Sequence, residues 1–314
     1  MEPASLQAPL LWGEKRYHAL DYMLRQTFGE KVYRLSLNGG MTCPNRDGTL
    51  DTRGCIFCSA GGSGDFAAAP ACSVTAQIEA AKQQVAAKSG CCKFIAYFQA
   101  YTNTYASIER LRALFVEALN HPDIVVLSIA TRCDCLPPEV LALLDELNRI
   151  KPVWVELGLQ TIHTQTHLRI RSGFTFSQYE EAVCALHTHG IDVITHLILG
   201  LPGETREMML SSVTQVAALP VAGVKLQLLH ILKGTDLGVQ YERSPFPLLS
   251  LEEYCDLIVD AITLLPPEIV IHRLTGDGPR TLLLAPLWST NKKRVLNTIQ
   301  RRLKERNLWQ GLGV

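Results

Sequence analysis

The sequence has no net charge and no apolar run long enough to cross a membrane. Its 314 residues contain 30 Lys and Arg against 30 Asp and Glu, so the chain as a whole is not predicted to bind polyanions, although a local basic patch still can. The apolar stretch 193–202 is interrupted by His196 and is shorter than the roughly 20 residues that span a bilayer. The first residues, MEPASLQAPLLWGEKR, lack the basic start and apolar core of a signal peptide. We therefore expect a cytoplasmic protein with no membrane partner.

The motifs of several common enzyme classes are missing as well. The sequence contains no HExxH, no Walker-type phosphate loop, no nucleophile elbow, and no Gly-rich dinucleotide fingerprint after the first predicted strand. A disordered chain is excluded, because hydrophobic residues make up 47% and charged residues 19% of the sequence. A chain of this length buries ~75% of its unfolded surface and needs no disulfides to hold a core.

What the sequence does contain is a regular alternation of strand and helix patterns. Short β-branched apolar runs, typical of strands covered on both faces, predict strands over 32–37, 94–99, 124–129, 153–159, 193–199, 224–229 and 269–274. Helical patterns between them predict helices over 73–88, 107–120, 138–148, 177–189, 205–218 and 251–264. Seven such units predict an α/β fold with a parallel sheet, either a full or partial (β/α) barrel or an open doubly wound sheet.

Nearly every predicted strand ends in side chains that can form hydrogen bonds. Barrel enzymes carry their active sites at the carboxyl ends of the strands, so we expect these side chains to share one site. They are Asn38, Gln99, Thr102, Asn103, Thr131, Arg132, Asp134, Glu156, Gln160, His196, Lys225, Gln227, His230, His272, Arg273 and Asp277.

Ten cysteines in a chain without an export signal indicate metal binding or catalysis more than disulfides. Three of them form a compact group, because eleven residues separate Cys43 from Cys55 and two separate Cys55 from Cys58. Glycines in this segment make a pliable loop whose amides can turn toward sulfur. Thiolates are soft ligands that suit zinc or an iron–sulfur cluster. The spacing alone leaves both open, with plain reduced thiols as the third reading.

The cysteine loop resembles that of the radical SAM superfamily. The triad follows the first strand and ends in Cys-x-aromatic-Cys, with Phe57 in the aromatic position. The flanking CPNRDGTL and CIFCSAGGSGDF are similar to the YhcC-like branch, which is related to the radical SAM module of the Elongator catalytic subunit. The resemblance runs from about residue 17 to 311 through YFQAYTNTY, LGLQT, HLILGLPGET, LHILKGTDL and HRLTGDGPR.

This resemblance implies a partial (β/α) barrel of radical SAM type with helical extensions at both ends. The implied domains are an N-terminal extension over 1–30, a barrel core over 31–275 and a basic helical extension over 276–314. The implied cofactors are a [4Fe–4S] cluster on Cys43, Cys55 and Cys58 and S-adenosylmethionine at its open iron. An electron from a donor such as flavodoxin or ferredoxin then cleaves S-adenosylmethionine and gives a 5′-deoxyadenosyl radical.

The resemblance also implies which residues contact S-adenosylmethionine. Phe57 occupies a position near the adenine, and Gln160 and Arg171 match residues that contact the methionine and ribose parts in related enzymes. His196 stands where several relatives place an acidic ribose contact, so this chain departs from the pattern there. Leu201 belongs to the turn GLPGE, which resembles a backbone turn that recognises adenine.

Two further strand-end residues complete the predicted cofactor-binding set. Gln99 lies within YFQAYTNTY, and Thr131 begins a Thr-Arg-x-Asp stretch that resembles Thr-Arg-Pro-Asp. Cys133 replaces the proline of that stretch.

The segment 291–306 is the most basic part of the chain. It carries seven Lys and Arg against one Glu, and Val295, Leu296, Ile299 and Leu303 recur at helical spacing. The opposite helix face is then a basic stripe, which is either a solvated surface or a nucleic-acid contact.

The relation to the Elongator subunit implies a wobble uridine of tRNA as the substrate and tRNA as a partner of the basic stripe. Acetyl transfer is not expected, because the sequence ends at Val314 without an acetyltransferase domain. A radical SAM enzyme acting on a small metabolite or a protein side chain is the alternative. Outside enzymes, the alternative is a zinc-stabilised RNA-binding protein.

Overall fold

The three-dimensional description is a computed structural model, and it covers residues 8–62, 72–90, 92–276 and 278–314. Asp277, one of the predicted strand-end residues, lies outside these ranges. The strands are β1 (Val32–Leu37), β2 (Lys93–Phe98), β3 (Ile124–Thr131), β4 (Val153–Gln160), β5 (Asp192–Leu199), β6 (Gly223–Leu228), β7 (Ile231–Leu232), β8 (Val270–Arg273) and β9 (Leu283–Ala285).

Within the described ranges, seven strands form one parallel sheet in the order β1-β2-β3-β4-β5-β6-β8. All six pairings between neighbours are parallel. The short strands β7 and β9 form a separate antiparallel pair. The sheet is an open, partial (β/α) barrel, so the predicted fold class is confirmed.

Helices connect the strands of the sheet. They are α1 (Leu20–Phe28), α2 (Val74–Ser89), α3 (Ile108–Asn120), α4 (Pro138–Asn148), α5 (Thr164–Ile170), α6 (Phe176–Thr188), α7 (Arg206–Ala217), α8 (Asp236–Arg243), α9 (Leu251–Thr263) and α10 (Lys292–Glu305). Side-chain caps fix several starts, with complete capping boxes at Thr175 and Ser250.

The main hydrophobic core joins the sheet to both ends of the described chain. It includes Tyr17 and Ala19 near the start and Val295, Ile299 and Leu303 on α10. These three α10 residues confirm most of the predicted packing face. Leu296 was also assigned to that face, but it is 38% exposed because it lies to one side of the buried row.

Residues before α1 and after α10 also contact each other. Ala19 forms a parallel bridge with Ile271 of β8, so the N-terminal segment covers the edge of the sheet. The buried side chain of Gln310 accepts a hydrogen bond from the His18 backbone N–H at 2.8 Å and donates to the carbonyls of Pro266 and Ile269. None of the helices in the described ranges is long and apolar enough to cross a membrane.

Candidate functional site

A cavity of about 530 Å³ opens at the carboxyl ends of the parallel strands. The three cysteines of the predicted cluster site line it. So do Phe57, Gln99, Thr131, Gln160 and His196 from the predicted cofactor-binding set. The fold therefore brings together eight side chains that are spread over more than 150 residues of sequence.

The conformation of the cysteine loop depends on Asn45 and Arg46. Asn45 is 2% exposed, and its Nδ2 lies 2.8 Å from the Arg171 carbonyl oxygen and 3.5 Å from Cys55 Sγ. Arg46 Nη2 donates to the carbonyl oxygens of Cys58, at 2.9 Å, and Ser59, at 2.7 Å. The loop is thus held in place by side chains from its own first turn.

Gly54 is required where the loop returns toward Cys55. It adopts a φ of +77°, and a Cβ added there would lie 2.9 Å from Arg46 Nε. Any other residue would be strained in this left-handed conformation and would press on the arginine that supports Cys58.

The three cysteine sulfurs are not arranged as a preformed site for one metal ion. Among the described residues, the three sulfurs are not a group of ligand atoms within 4.8 Å of one another. Sulfurs bound to one zinc at ~2.3 Å lie ~4 Å apart. Mononuclear zinc would therefore require these side chains to move. Burial, followed by the charge of Cys58, raises the pKa of Cys55 to about 11, so a bound metal has to stabilise its thiolate.

The described residues do contain one close group of possible metal ligands, but it does not include the cysteines. It consists of Glu79, His121 and Asp123. The Lys82 ammonium lies 2.8 Å from Glu79 and 2.6 Å from Asp123, so a protein cation already balances these carboxylates.

Arg132 places a positive charge beside the cysteines. Its guanidinium pairs with Asp134 through two hydrogen bonds of 2.8 and 2.6 Å and lies over the Phe174 ring. Burial opposes the charge of Arg132, but Asp134, Cys43 and Cys55 raise its pKa. The cation stays ionised and can partly balance the negative charge of thiolates.

Two buried polar atoms on the cavity wall have no hydrogen-bond partner among the described residues. They are Gln99 Nε2 and Thr102 Oγ1. Unsatisfied buried donors are rare in folded proteins and mark places where a ligand completes the bonding. Together with the sulfur donors, they indicate that this cavity fits a polar cofactor next to a cluster.

Deeper in the barrel, the Glu156 carboxylate on β4 is the centre of a buried ionic cluster. Its Oε1 accepts a hydrogen bond from Ser128 at 2.8 Å and lies 3.3 Å from Arg34 Nη2. Its Oε2 accepts a hydrogen bond from His196 Nε2 at 2.7 Å and one from Lys225 Nζ. Strands β1, β3, β5 and β6 thus all supply side chains to one carboxylate.

The charges in this cluster shift one another's pKa values. Burial would raise the pKa of Glu156, but Arg34 and Lys225 hold it well below its usual value. Burial and then Arg34 lower the pKa of Lys225 far below its usual value. Burial and then Lys225 lower the pKa of His196 to about 4, so this imidazole is neutral at pH 7.

Two of the predicted cofactor-binding residues are not on the cavity wall. The Arg171 guanidinium donates to the Gly54 carbonyl oxygen at 3.1 Å and pairs with Asp236 at 2.5 Å, so it links the cysteine loop to α8. The Leu201 side chain is 2% exposed and packs in a small cluster with Ile56 and Ile170.

Several site residues did not emerge from the sequence. Arg34 and Tyr97 belong to the Glu156 cluster, and Arg46 and Asn45 support the cysteine loop. A signal for Arg34 existed, because a charged residue inside an otherwise apolar strand is unusual and needs a buried partner.

Comparison with protein families decides the assignment. The Radical SAM superfamily model matches residues 52–216, just over half of the chain. The chain belongs to the radical SAM superfamily. The Radical_SAM C-terminal domain model matches residues 221–305. A [4Fe–4S] cluster and S-adenosylmethionine are accordingly its cofactors, and it is an enzyme. The zinc-stabilised RNA-binding alternative is therefore wrong.

Curated relatives of this radical SAM enzyme fall into two groups. An uncharacterized protein of Bacillus subtilis (strain 168), YtqA, is 48% identical over 298 residues, which is 95% of this chain and 92% of YtqA. Protein YhcC of Escherichia coli (strain K12) is 37% identical over 287 residues, 90% of each chain. A tRNA uridine(34) acetyltransferase of Dehalococcoides mccartyi (strain CBDB1) is 28% identical over 182 residues, 57% of this chain and 39% of that protein. The predicted resemblance to the YhcC-like branch is confirmed.

Among solved structures, archaeal Methanocaldococcus infernus Elp3 with an N-terminal deletion shares the fold. The TM-score is 0.66 at 17% sequence identity, over 89% of this chain and 64% of that chain. The two proteins therefore share the fold over most of this chain and not in the sheet alone.

Proposed function

We propose that Cys43, Cys55 and Cys58 hold the [4Fe–4S] cluster of this radical SAM enzyme. The support is that all three thiols line the cavity, together with Asn45 and Arg132, which place an N–H donor and a positive charge beside the thiolates. When bound, the cluster and S-adenosylmethionine supply a 5′-deoxyadenosyl radical for hydrogen abstraction. The protein's part is to orient the reactants and keep water out of the barrel.

Phe57, Gln99, Thr131, Gln160 and His196 bind S-adenosylmethionine in this proposal. All five line the cavity that contains the cysteines, and the buried Gln99 Nε2 is a donor that a cofactor can satisfy. Arg171 and Leu201 act as positioning residues. They support the cysteine loop from behind, through Gly54 and Ile56, and their own side chains lie off the cavity wall.

The substrate in this proposal is a wobble uridine of tRNA. The supporting observation is a basic surface at the N-terminal end of α10, made of Arg280, Lys292 and Lys293 around an open pocket of about 500 Å³. Lys292 lies close to two residues that line the cavity, His230 and Arg273. The charge of Lys292 lowers the pKa of His230, and the charge of Arg273 lowers the pKa of Lys292. RNA phosphates on this surface would therefore lie beside the cavity mouth.

The rest of the predicted basic stripe over 291–306 contributes less. Arg302 pairs with Asp256 at 3.0 Å and Arg306 pairs with Asp260 at 2.9 Å, both on α9. These cations already have carboxylate partners. The name of the Dehalococcoides relative, a tRNA uridine(34) acetyltransferase, independently supports a uridine of tRNA, although the chain matches only 39% of that protein.

Mass spectrometry of tRNA nucleosides tests the substrate. Bulk tRNA from a strain lacking the protein is compared with tRNA from the parent and from strains complemented with wild type or Cys55→Ala. We expect one modified uridine to change in the deletion strain, and to be restored by wild type but not by Cys55→Ala. Unchanged nucleosides would favour the second candidate, a small metabolite or protein side chain, which the same cavity can admit.

The remaining parts of the proposal concern the electron and the compartment. A one-electron donor such as flavodoxin or ferredoxin reduces the enzyme, and the enzyme works in the cytoplasm. The support is chemical: the described cysteines form no disulfide, and reduced thiols are typical of that compartment.

A further inference from the structure

The cysteine loop contains a cation next to Cys58. Arg46 donates hydrogen bonds to the carbonyl oxygens of Cys58 and Ser59, and it lines the same cavity as the three cysteines of the proposed cluster site. Burial opposes the charge of Arg46, but Cys58 and, to a smaller extent, Tyr101 raise its pKa. The guanidinium is therefore charged at pH 7 and lies at one side of the proposed cluster.

Tyr101 contacts both Arg46 and the segment that follows Cys58. Its backbone N–H donates to the Gly62 carbonyl oxygen at 2.8 Å, and its hydroxyl donates to the Ala60 carbonyl oxygen at 2.5 Å. The Cζ atom of Arg46 lies 5.7 Å from the centre of the Tyr101 ring, which is within the range of a cation–π contact. One side chain thus supports the arginine and the loop segment beside it.

The position of the Tyr101 ring depends on two special backbone conformations. Tyr101 itself has a φ of +60°, in the left-handed region that an aromatic residue rarely adopts. Gly62 has a φ of +59°, and a Cβ added there would lie 2.3 Å from Tyr101 Cδ1. Strained backbone of this kind persists only where the surrounding contacts hold it, and it is frequent at functional sites.

A cation at this position affects how readily a cluster is reduced. Reduction by the proposed one-electron donor adds one negative charge to the cluster, and no bond is formed or broken in that step. A positive charge nearby stabilises the reduced form more than the oxidised form, so it raises the reduction potential. The two carbonyl oxygens that accept hydrogen bonds from Arg46 hold its guanidinium in this place.

We infer that Arg46 raises the reduction potential of the [4Fe–4S] cluster, and that Tyr101 is the positioning residue that keeps the Arg46 guanidinium beside Cys58. The inference rests on the proposed function for the placement of the cluster on Cys43, Cys55 and Cys58. Arg46 and Tyr101 then determine how readily the donor delivers its electron.

Redox titration of the reconstituted enzyme tests this. The full chain with its cluster is titrated anaerobically against mediators of known potential, and EPR spectroscopy measures the reduced cluster at each step. Arg46→Gln removes the charge but keeps an N–H donor for the loop carbonyls, whereas Arg46→Lys keeps the charge and loses the planar guanidinium. We expect Arg46→Gln to disfavour reduction about tenfold, which lowers the midpoint potential by about 59 mV for one electron. Arg46→Lys should stay near the wild-type midpoint.

Further variants separate the role of Tyr101 from that of the charge. Tyr101→Leu should lower the midpoint in the same direction as Arg46→Gln, whereas Tyr101→Phe keeps the ring and should remain closer to wild type. Arg53→Gln is the matched control, because it removes a cation of the same loop whose side chain is 64% exposed, and it should leave the midpoint unchanged. Iron and sulfide analysis gives the amount of cluster in each variant, and the midpoint is measured on the loaded fraction.

An Arg46→Gln midpoint equal to that of wild type would overturn the inference. Equal shifts in Arg46→Gln and Arg46→Lys, or complete loss of the cluster in both, would also overturn it, because Arg46 would then act through its hydrogen bonds and not its charge. A wild-type midpoint in Tyr101→Leu would refute the positioning role of Tyr101. Retention of the cluster in Cys58→Ala would refute the proposed cluster site as well, whereas an unchanged midpoint in Arg46→Gln with loss of the cluster in Cys58→Ala would refute this inference alone.

Discussion

Asn45 Nδ2 lies 3.5 Å from Cys55 Sγ while it also donates to the carbonyl oxygens of Arg171 and Ser172. One buried amide therefore ties a proposed cluster ligand to the end of α5. Asn45→Leu removes these donors at similar volume, so we expect a loss of about 2 kcal/mol in the free energy of unfolding and reduced iron content. Urea unfolding and iron analysis measure both. Asn120→Leu, at an exposed helix end, is the control, and equal iron in the two variants would refute a supporting role for Asn45.

The cysteines divide into proposed ligands and ordinary buried thiols. Replacing Cys43, Cys55 or Cys58 by Ala should abolish cluster absorbance near ~400 nm and leave a folded barrel. Replacing Cys133 or Cys255, both buried outside the cavity wall, should leave the iron content unchanged. Iron and sulfide analysis after anaerobic reconstitution measures this. Retention of a full cluster in any of the first three variants would contradict the assignment.

Two neutral histidines should make stability depend on pH. Burial and then Lys225 lower the pKa of His196 to about 4, and burial and then Lys292 lower that of His230 to about 4. Below pH ~6.5 the unfolded chain takes up protons that the folded chain does not. Their contribution to stability is therefore complete above that pH and is lost as the pH falls toward 4.

The expected loss is on the order of 2 kcal/mol per histidine between pH 7 and pH 5. Urea unfolding of wild type and His230→Gln at both pH values measures it, because glutamine does not titrate. The variant should lose less stability on acidification than wild type. Identical pH dependence in the two proteins would mean that the pKa of His230 is the same in the folded and the unfolded chain.

Charge reversal separates the two halves of the basic segment. Arg280→Glu and Lys293→Glu should weaken tRNA binding and lower the slope of log affinity against log salt by about one per lost phosphate contact. Arg302→Gln breaks the pair with Asp256 instead, so it should cost up to ~1 kcal/mol of stability and leave tRNA affinity unchanged. Filter binding across a salt series measures the affinities. Equal affinities for all three variants and wild type would point to a small-molecule substrate.

Gln310 offers a test of the contact between the two ends of the described chain. Its side chain makes three hydrogen bonds, to His18, Pro266 and Ile269, and is fully buried. Gln310→Ala should lower the free energy of unfolding by on the order of 3 kcal/mol, because these groups lose their partners without access to water. Gln215→Ala, on the exposed side of α7, should have almost no effect. If Gln310→Ala lowered the free energy of unfolding no more than Gln215→Ala does, the groups that Gln310 contacts would have found other hydrogen-bond partners.

Most of the sheet could be predicted from the sequence because its strands are short, apolar runs with clear ends. The strand predicted over 32–37 is β1 without change, and the others differ from the structure by one or two residues at an end. The helices α5 and α8 were missed, since seven or eight residues are too few for a helical period to stand out. The divisions at 30/31 and 275/276 remain predictions.

The site was harder to predict from the sequence because its residues meet only in the folded structure. The cysteines form a local pattern, so the sequence identified them. Arg34, by contrast, meets Glu156 only because β1 and β4 face the same barrel interior, and the sequence carries no record of that distance. Arg46 was missed for a similar reason: its bonds to Cys58 and Ser59 depend on how the loop folds back.

One hydrogen bond of Gln310 links it to His18, which lies 292 positions earlier in the chain. During synthesis the segment around His18 leaves the ribosome long before its partner exists, so the contact between them forms only after Gln310 has been synthesised. The N-terminal segment around His18 therefore completes its contacts only after the segment that contains Gln310 is available. A pulse-labelled nascent chain stalled before Gln310 should be cleaved by protease near His18, and should become resistant once Gln310 has emerged.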